Sequence, residues 1–333
     1  MGWDWKTAAQ QATTAERWWR TTLAPATRWW VQLVLVLALV GLALVGLAML
    51  LRWVRVRWRM RTQLKGRVVL VTGGANGLGR QLARQLHALD AIVVLWDIDG
   101  DALRSAEEEL KERVHTYLVD LTNRRSIYEV AKEVMKDVGP PDVLINNAGV
   151  VSGKPILETT DDEVLQTMAV NALAPFWTVK AFLPSMKERK SGHIVNIGSV
   201  LGIFGGAQLT DYSASKFAVF GFTECLRMEL KSEGSPICTT LICPFHIDTG
   251  MFAGVTVPWY SRILFPVLKQ GWVARKVVEA ILMRDEVVLL RYQFWLVFLL
   301  RVLVPPWLVD RLGRVLGSYY GMKSFVGHAK KRT

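Results

Sequence analysis

From Arg67 onward, short apolar segments alternate with segments whose apolar residues recur at helical spacing. The apolar segments are rich in Val, Ile and Leu and lack strict apolar–polar alternation, which is typical of strands covered on both faces of a sheet. We interpret seven of them as strands: RVVLVTGG, AIVVLWD, VHTYLVD, DVLINNAG, GHIVNIGS, ICTTLICP and EVVLL. Because helical segments lie between them, the pattern predicts an α/β, doubly wound fold with a seven-stranded parallel sheet over residues 67–290.

The N-terminal region carries a different pattern. Residues 29–51 read WWVQLVLVLALVGLALVGLAMLL, a stretch without charge in which Gln32 is the one polar side chain. At about 1.5 Å per residue, such a helix crosses a hydrocarbon core of about 30 Å. We therefore predict an N-terminal segment over 1–28, a transmembrane helix over 29–51 and a basic juxtamembrane collar over 52–66. Bulky and basic residues follow the span, which disfavours a cleaved signal peptide; a hairpin that dips into one leaflet is left open.

The charges on either side of this span predict its orientation. Residues 52–67 include seven basic and no acidic side chains, whereas the four basic residues before the span are offset by Asp4 and Glu16. The positive-inside bias places the following domain in the cytosol, so we expect a single-pass protein of the endoplasmic reticulum or of lipid droplets. The Arg and Trp residues of the collar could instead contact nucleic acid. Beside an uncharged span a lipid-facing collar is the simpler interpretation, and we expect no nucleic-acid partner.

The composition agrees with a lipid-facing segment attached to a cytosolic domain. Hydrophobic residues make up 51% of the 333 residues, and the mean hydropathy of +0.23 is high for a soluble protein. The formal net charge is +12, to which the collar contributes. Cys225, Cys238 and Cys243 show neither CxxC spacing nor nearby paired histidines, so we predict neither a disulfide framework nor a metal site.

The first predicted strand runs into the sequence TGGANGLGR, Thr72 to Arg80. Gly73, Gly77 and Gly79 would permit a tight turn and the close approach of a pyrophosphate, whose negative charge would face free N–H groups at the start of a helix. The spacing is TGxxxGxG and differs from the GxGxxG of the common dinucleotide fingerprint. A plain tight turn is the alternative interpretation of these glycines.

Asp97 ends the second predicted strand. A carboxylate there can accept hydrogen bonds from both ribose hydroxyls of adenosine and would repel a 2′-phosphate, so we expect NAD to be preferred, with NADP as the alternative. Asn76 stands in the turn where several NADP-dependent enzymes would carry a basic residue, and only Arg80 is available nearby. Asp97 could instead serve as a cap for the helix that starts near Asp99.

A second set of polar residues suggests proton chemistry. Tyr212 and Lys216 are four residues apart in YSASK and would share one face of a helix. Ser199 ends the strand GHIVNIGS, at the edge where doubly wound sheets bind ligands, and Asn171 lies in a helix upstream. A tyrosine with a pKa of about 10 is a reluctant base at neutral pH, but a neighbouring ammonium and a cationic nicotinamide would lower that pKa.

The glycine turn, the sequence NNAG at 146–149, a serine thirteen residues before the tyrosine and YxxxK together resemble the short-chain dehydrogenase/reductase family, from about Lys65 to Leu290. The resemblance implies a Rossmann domain in which Tyr212 is the acid/base, Lys216 lowers its pKa and holds the nicotinamide ribose, and Ser199 polarises the reacting oxygen. It implies that Asn171 positions a water in the proton relay. The cofactor contacts that it implies are Gly73, Asn76, Gly77, Leu78, Gly79, Asp97, Asp120 at the adenine, Asn147, Tyr212, Lys216 and Thr249.

One segment departs from the family pattern. The family turn Pro-Gly-x-Val-x-Thr appears as PFHIDT, in which Phe245 replaces glycine and Thr249 is retained. Together with VLWDID, NNAGVVSGK and FWTVKAFLP, this segment is similar to a membrane-bound branch that contains retinol dehydrogenases, retinaldehyde reductases and 17-beta-hydroxysteroid dehydrogenases. That branch implies a lipophilic substrate, for which we expect contacts with Ser199, Phe245, Met251 and Phe252.

Two apolar segments complete the predicted organisation. Residues 250–272 form a long insertion that is expected to be the substrate lid, although a stripe packed against its own domain is the alternative. Residues 291–333 are apolar, are interrupted by Arg301 and by the pair Pro305 and Pro306, and end in a basic tail. We expect this segment to associate with the membrane at or near its surface, with a core helix as the alternative.

These features predict a membrane-anchored oxidoreductase that transfers a hydride between a nicotinamide cofactor and a lipophilic alcohol/carbonyl pair. Retinol/retinaldehyde is the pair that we expect first. A 17-beta-hydroxysteroid or another lipid alcohol is the alternative substrate. A non-catalytic nucleotide-sensing membrane scaffold is the alternative of a different class, and the presence of Tyr212 and Lys216 disfavours it. The resemblance also implies a homodimer formed through the helix that carries these two residues.

Overall fold

The computed structural model describes residues 64–256, 258–291, 293–295, 303–315, 322 and 325–326, and, nearer the N-terminus, 32–33, 36–37, 39–41, 43–44, 46–51 and 54. The chain divides into two compact units, Met1–Trp58 and Arg59–Thr333. The described residues of the first unit are helical and exposed. Within the described ranges, no helix has both the length and the apolar character needed to cross a membrane. Three predictions fall wholly or partly outside those ranges: all of the N-terminal segment 1–28, part of the transmembrane helix 29–51 and most of the collar 52–66.

The second unit is built on one parallel sheet. Its strands in the described ranges are β1 Val68–Thr72, β2 Ile92–Asp97, β3 Val114–Leu118, β4 Val143–Asn146, β5 His193–Ile197, β6 Cys238–Cys243 and β7 Val287–Leu289. Their order is β3-β2-β1-β4-β5-β6-β7. The winding direction therefore reverses between β1 and β4, and ligands of such sheets bind outside the carboxyl ends of the strands at this point. The predicted Rossmann fold with a seven-stranded parallel sheet is confirmed.

Helices connect the strands and cover both faces of the sheet. In the part of the chain that the structure describes, they are α1 Gly77–His87, α2 Gly100–Leu110, α3 Arg124–Asp137, α4 Asp161–Met168, α5 Ala174–Glu188, α6 Thr210–Ser232, α7 Trp259–Leu264, α8 Gln270–Met283 and α9 Pro306–Val315. Short 3₁₀ turns occur at Ile156–Glu158, Val200–Gly202 and Gly250–Phe252, and a π-helix at Ala169–Leu173 joins α4 to α5.

The core lies on the two faces of the sheet. Along β1, Val69 and Val71 belong to one apolar cluster, whereas Val68 and Leu70 belong to the other, because successive strand side chains point to opposite faces. Burying each such side chain contributes about 1.5–3 kcal/mol. Leu64, which precedes the predicted domain boundary, is also buried in the first cluster.

A buried polar network fixes the position of α6 relative to the sheet. Asn146 Nδ2 donates to Asn196 Oδ1 at 2.8 Å, and Asn196 Nδ2 donates to Thr223 Oγ1 on α6 at 2.9 Å. Thr178 Oγ1 on α5 donates to Asn146 Oδ1 at 2.7 Å. Leaving one of these buried groups unpaired would cost about 1–3 kcal/mol, so the network fixes the helix that carries Tyr212 and Lys216.

Candidate active site

The glycine turn follows β1 at the carboxyl edge of the sheet. Gly73 and Gly77 have φ values of +61° and +52°, in the left-handed region that favours glycine. A Cβ on Gly79 would lie 2.0 Å from the carbonyl oxygen of Gly73, so α1 approaches the turn more closely than any other residue type would allow. The turn therefore leaves the first N–H groups of α1 accessible, and such a helix start binds phosphate groups. The residues present fit a dinucleotide.

A hydrogen-bonded brace holds this turn against the loop after β4. Thr72 Oγ1 accepts from the backbone N–H groups of Asn147 and Ala148 at 3.1 and 3.2 Å. Asn147 Nδ2 donates to the carbonyl oxygens of Thr72 and Gly73, each at 3.0 Å. The side-chain amide of Asn147 thus shapes the cofactor turn from within. In the sequence, Thr72 carries no signal for this role beyond its place directly before the glycines.

Asp97 lies at the end of β2, beside the glycine turn. Its Oδ2 accepts from Ala75 N at 3.0 Å and its Oδ1 accepts from Asp99 N at 3.1 Å, which fixes the carboxylate. Burial raises the pKa of Asp97 above its ordinary value, although these backbone hydrogen bonds act in the opposite direction. Asn76 Nδ2 donates to Asp99 Oδ2 at 3.3 Å, on the same rim of the turn.

Arg80 does not contribute its charge to this rim. Its guanidinium donates to Glu109 Oε2 at 2.7 and 2.9 Å, to Ser105 O at 2.6 Å and to Ala102 O at 3.1 Å. The side chain is buried on α1 by these contacts. The cation nearest to the turn in sequence is therefore fully engaged with α2.

Two further predicted cofactor residues, Leu78 and Asp120, line the same cavity as the glycine turn. Asp120 follows β3 and is exposed, and its Oδ1 accepts from the backbone N–H and the hydroxyl of Thr122 at 2.9 and 2.8 Å. Thr249, also in the cavity wall, lies near Gly77, because a Cβ on that glycine would lie 3.9 Å from Thr249 Cγ2. The structure thus brings the predicted cofactor residues, apart from Gly79, into the lining of one cavity.

Asn171 is buried in the π-helix between α4 and α5. Its Oδ1 accepts from Val150 N at 2.8 Å, and its Nδ2 donates to Val150 O at 2.9 Å and to Ser215 Oγ at 3.0 Å. The π turn is a rare conformation that occurs frequently at functional sites. Here it places the amide where it joins the loop after β4 to α6. The sequence predicted a plain helix at this point.

Tyr212, Ser199 and Lys216 meet at the carboxyl end of β5. Tyr212 lies close enough to Ser199 for their side chains to interact, and Ser199 Oγ accepts from Leu201 N at 3.1 Å. Lys216 Nζ donates to Ile197 O at 2.8 Å and lies 5.7 Å from the centroid of the Tyr212 ring. Both side chains are buried, with 5% of Tyr212 and 4% of Lys216 exposed. The structure therefore brings together the three residues that the sequence pattern predicted to cooperate.

Burial moves the pKa values of this group. It raises the pKa of Tyr212 to about 12, while the hydrogen bond with Ser199 acts in the opposite direction. It lowers the pKa of Lys216 to about 8. The thiol of Cys243 is buried beside Lys216, and burial raises its pKa to about 12. The protein alone therefore favours a neutral tyrosine and a neutral thiol.

The site opens into a cavity of about 2050 Å³ that runs from Gly73 past Tyr212 to α9. Ligand pockets are commonly about 300–1,000 Å³, so this cavity has room for a dinucleotide and a second molecule. Phe252 packs edge-on against Tyr212, with ring centroids 5.7 Å apart, and Met251 also lines the wall. Phe245 packs against Phe265 and Phe294 at 5.8 and 5.1 Å between centroids. The four predicted substrate residues thus line this cavity.

The C-terminal region supplies residues that the sequence analysis did not assign to the site. Met322 is buried in a cluster with Leu209 and Tyr212, and Phe252 and Phe325 pack against this cluster. Val326 N donates to Ala253 O at 2.9 Å, which joins the segment to residues 250–272, the predicted lid. No local motif marks these residues, because their contacts depend on how the chain returns over the sheet.

This chain belongs to the short-chain dehydrogenase family. The family model described as "short chain dehydrogenase" matches residues 67–257. Short-chain dehydrogenase/reductase family 16C member 6 of Bos taurus is 41% identical over 278 residues, covering 82% of this chain and 87% of the relative. Epidermal retinol dehydrogenase 2 of Homo sapiens is 39% identical, covering 81% and 89%. Retinol dehydrogenase 10 of Homo sapiens is 38% identical, covering 83% and 91%.

Solved structures agree with this assignment. A short-chain dehydrogenase/reductase from Burkholderia phymatum in complex with NAD has a TM-score of 0.65 and 27% identity, covering 72% of this chain and 94% of that one. A metagenomic short-chain oxidoreductase in complex with NADP has a TM-score of 0.58 and 31% identity, covering 68% and 98%. The chain is therefore an oxidoreductase of the CH–OH class that uses a nicotinamide cofactor.

Proposed function

We propose that the protein interconverts a lipophilic alcohol and its carbonyl compound, with retinol and retinaldehyde as the preferred pair. The observation that carries this proposal is the apolar part of the cavity next to Tyr212, where Phe252 and Met322 contact the tyrosine cluster. An apolar wall with a few convergent polar groups suits a hydrophobic ligand that carries one reacting oxygen. Relatives named as retinol dehydrogenases, at 37–39% identity, support retinoids within this class.

The proposed chemistry assigns a separate task to each buried polar residue. The nicotinamide cofactor, when bound, supplies the hydride acceptor for oxidation and the hydride donor for reduction. In oxidation, Ser199 holds the substrate hydroxyl and Tyr212 accepts its proton, because the two side chains lie next to each other beside the carboxyl end of β5. The Lys216 ammonium, whose Nζ lies 5.7 Å from the centroid of the Tyr212 ring, stabilises the tyrosinate. Asn171 fixes the loop after β4 through its two hydrogen bonds with the backbone of Val150. We assign it to the side of the site through which the proton leaves.

We further propose that NAD is preferred over NADP. Each carboxylate oxygen of Asp97 accepts one backbone N–H and retains lone pairs for ribose hydroxyls. A 2′-phosphate at this carboxylate would be repelled, and Arg80 is withheld by Glu109 and the carbonyls of α2. The cofactor contacts proposed above follow from the cavity lining and from this arrangement of charges.

Membrane anchoring through residues 29–51, with the catalytic domain on the cytosolic face of the endoplasmic reticulum or of a lipid droplet, is part of the proposal. It rests on the uncharged sequence of that segment and on the basic residues that follow it. Removing residues 1–58 keeps the second unit and Leu64. We expect this deletion to weaken membrane association and to lower turnover of bilayer-dissolved retinol; unchanged membrane association and turnover would contradict the anchor.

The test of the function is the oxidation of all-trans-retinol and of estradiol, with NAD and with NADP, by membranes that contain the full chain. We expect retinol oxidation with NAD, and a loss of roughly 10²–10⁴-fold in Tyr212→Phe, because that change removes the proton acceptor. Tyr128→Phe on α3 is the matched control and should keep full activity. Turnover of estradiol alone would move the assignment to steroids, and turnover of neither with cofactor still bound would favour the nucleotide-sensing scaffold.

A further inference from the structure

Two short helices near the cavity present large apolar side chains to solvent. On α7, Trp259 is 74% and Ile263 is 70% exposed. On α9, Trp307 is 61% and Val315 is 64% exposed. A soluble surface seldom places two tryptophans in such positions without a partner. We call the outer surfaces of α7 and α9 the cover face.

A direct contact joins the two helices of the cover face. Tyr260 Oη on α7 donates to the carbonyl oxygen of Val315 on α9 at 2.7 Å. The ring of Trp259 packs edge-on against Tyr260, with centroids 5.9 Å apart. The exposed tryptophan of α7 is thereby held beside the C-terminal end of α9.

The opposite side of α9 faces the cavity. Pro306, Val309 and Gly313 line the cavity and recur at a spacing of three and four residues, which places them on one side of the helix. Trp307, Arg311 and Arg314 recur in the same way on another side. A single helix therefore separates the cavity from the cover face.

The charges of the cover face are basic. Arg311 lies 6.0 Å from the ring centroid of Trp307, and Arg262 of α7 and Arg314 of α9 add two more cations. Within these two helices the one acidic residue is Asp310, which lines the cavity. Tryptophan and arginine on one surface are the combination found at the headgroup level of anionic bilayers.

We propose that the cover face docks on an anionic lipid bilayer and that lipophilic substrate enters the cavity at this docked face. The proposal rests on the proposed function, since only a substrate dissolved in lipid requires such an entry. A water-soluble protein partner would not require exposed tryptophans above a cavity for apolar compounds. Each basic residue of the cover face that lies near the membrane surface adds electrostatic attraction to anionic lipid.

The direct test measures contact with lipid and does not depend on turnover. The full chain with Cys225→Ser and Cys238→Ser receives Ile263→Cys, is labelled with a bimane fluorophore and is reconstituted in vesicles of phosphatidylserine and brominated phosphatidylcholine. Leu157→Cys, at a side chain that is 96% exposed on a 3₁₀ turn outside the cavity lining, is the matched control. We expect bromine to quench the label at 263 at least twofold more than the label at 157. Equal quenching at the two positions would overturn the proposal.

A kinetic test compares two ways of presenting one substrate. Trp259→Glu combined with Ile263→Glu places two negative charges on the cover face, and Leu157→Glu is the control. We expect the ratio of the KM for vesicle-dissolved retinol to the KM for retinol on a soluble carrier to rise roughly tenfold in the double variant and to stay unchanged in the control. An unchanged ratio in the double variant would contradict entry from the bilayer. If the wild type oxidised no retinol, the proposed function would fail, while the quenching result would still decide the docking.

Discussion

At the scale of single residues, Lys216 and Tyr212 form a pair whose charged states the protein alone disfavours. Burial raises the pKa of Tyr212 to about 12 and lowers that of Lys216 to about 8. Forming a tyrosinate therefore depends on positive charge supplied next to the ring. The Lys216 ammonium, 5.7 Å from the centroid of the Tyr212 ring, supplies such a charge, and a bound oxidised nicotinamide would add to it.

The first prediction concerns the pH dependence of Lys216→Met. Alcohol oxidation requires Tyr212 to lose its proton, so kcat/KM should rise with pH and level off above the apparent pKa of the tyrosine. Removing the ammonium raises that pKa, and the rising limb should move to higher pH by at least about one unit, which corresponds to about 1.4 kcal/mol. Initial rates from pH 6 to 10 at saturating cofactor measure the shift. The control is Lys276→Met, because Lys276 pairs with Glu279 on α8, and it should leave the pH profile unchanged. If the pH profile of Lys216→Met coincided with that of the wild type, Lys216 would not lower the pKa of Tyr212.

The second residue-scale prediction concerns Asp97→Asn. Asparagine retains an acceptor for one of the two backbone N–H groups but removes the negative charge, so repulsion of a 2′-phosphate should fall. We expect the ratio of kcat/KM for NAD to that for NADP to drop at least tenfold. Because burial raises the pKa of Asp97, its ionised form is disfavoured in the fold, and the variant should unfold at no lower temperature. Asp101→Asn, at an exposed carboxylate on α2, should change neither quantity; an unaltered cofactor ratio in Asp97→Asn would assign Asp97 to capping alone.

At the scale of elements, the C-terminal segment contacts the loop after β4 through one tight pair. Gly153 has a φ of +69°, and a Cβ there would lie 2.2 Å from Cε1 of Phe325. Gly153→Ala should therefore push Phe325 away from the cluster at Tyr212 and raise the KM for retinol several-fold. Gly66→Ala is the matched control, since its φ of +70° imposes the same backbone strain with nothing within 4 Å.

A double-mutant cycle separates the contact from the strain. If displacement of Phe325 causes the defect, adding Phe325→Ala to Gly153→Ala should cost less than the sum of the two single changes. Gly66→Ala should lower the melting temperature without changing the KM. Additive effects on KM at positions 153 and 325 would show that the C-terminal segment does not pack against this loop in solution.

Some helices, strands and contacts could be predicted from the sequence and others could not. The strands were predictable because unbroken Val, Ile and Leu segments such as Ile92–Asp97 have few alternatives to a buried parallel sheet. Tyr212 and Lys216 were predictable because four residues on a helix fix their common side. The π turn at Asn171 and the packing of Met322 on Tyr212 were not, since both depend on contacts between segments far apart in the chain. The same holds for Arg80, whose engagement by Glu109 no local pattern reveals.

At the scale of the whole molecule, the outer side of α6 is suited to a second copy of the chain. Ala214, Phe217, Gly221 and Met228 recur at three, four and seven residues, and Phe217 and Met228 are 37% and 60% exposed. No side chain or backbone lies within 4 Å of a Cβ placed on Gly221 in the described structure, so a partner helix can approach closely there. We propose a homodimer through this side of α6, behind the catalytic face.

The last prediction tests this dimer. Met228→Glu combined with Gly221→Glu should convert the detergent-solubilised protein from dimer to monomer in sedimentation experiments, because two buried like charges would oppose each other across a two-fold axis. Leu157→Glu, remote from α6 in sequence and exposed to solvent, should remain dimeric. Cys225 is exposed on the same helix, so a short bismaleimide should cross-link two chains in native membranes and fail to do so in the double variant. A monomeric wild type would refute the dimer, and cross-linking at Cys225 that persists in the variant would place the contact elsewhere. Because Tyr212 and Lys216 share α6 with this surface, a monomeric variant that keeps its melting temperature should also show a lower kcat, as the helix loses its second support.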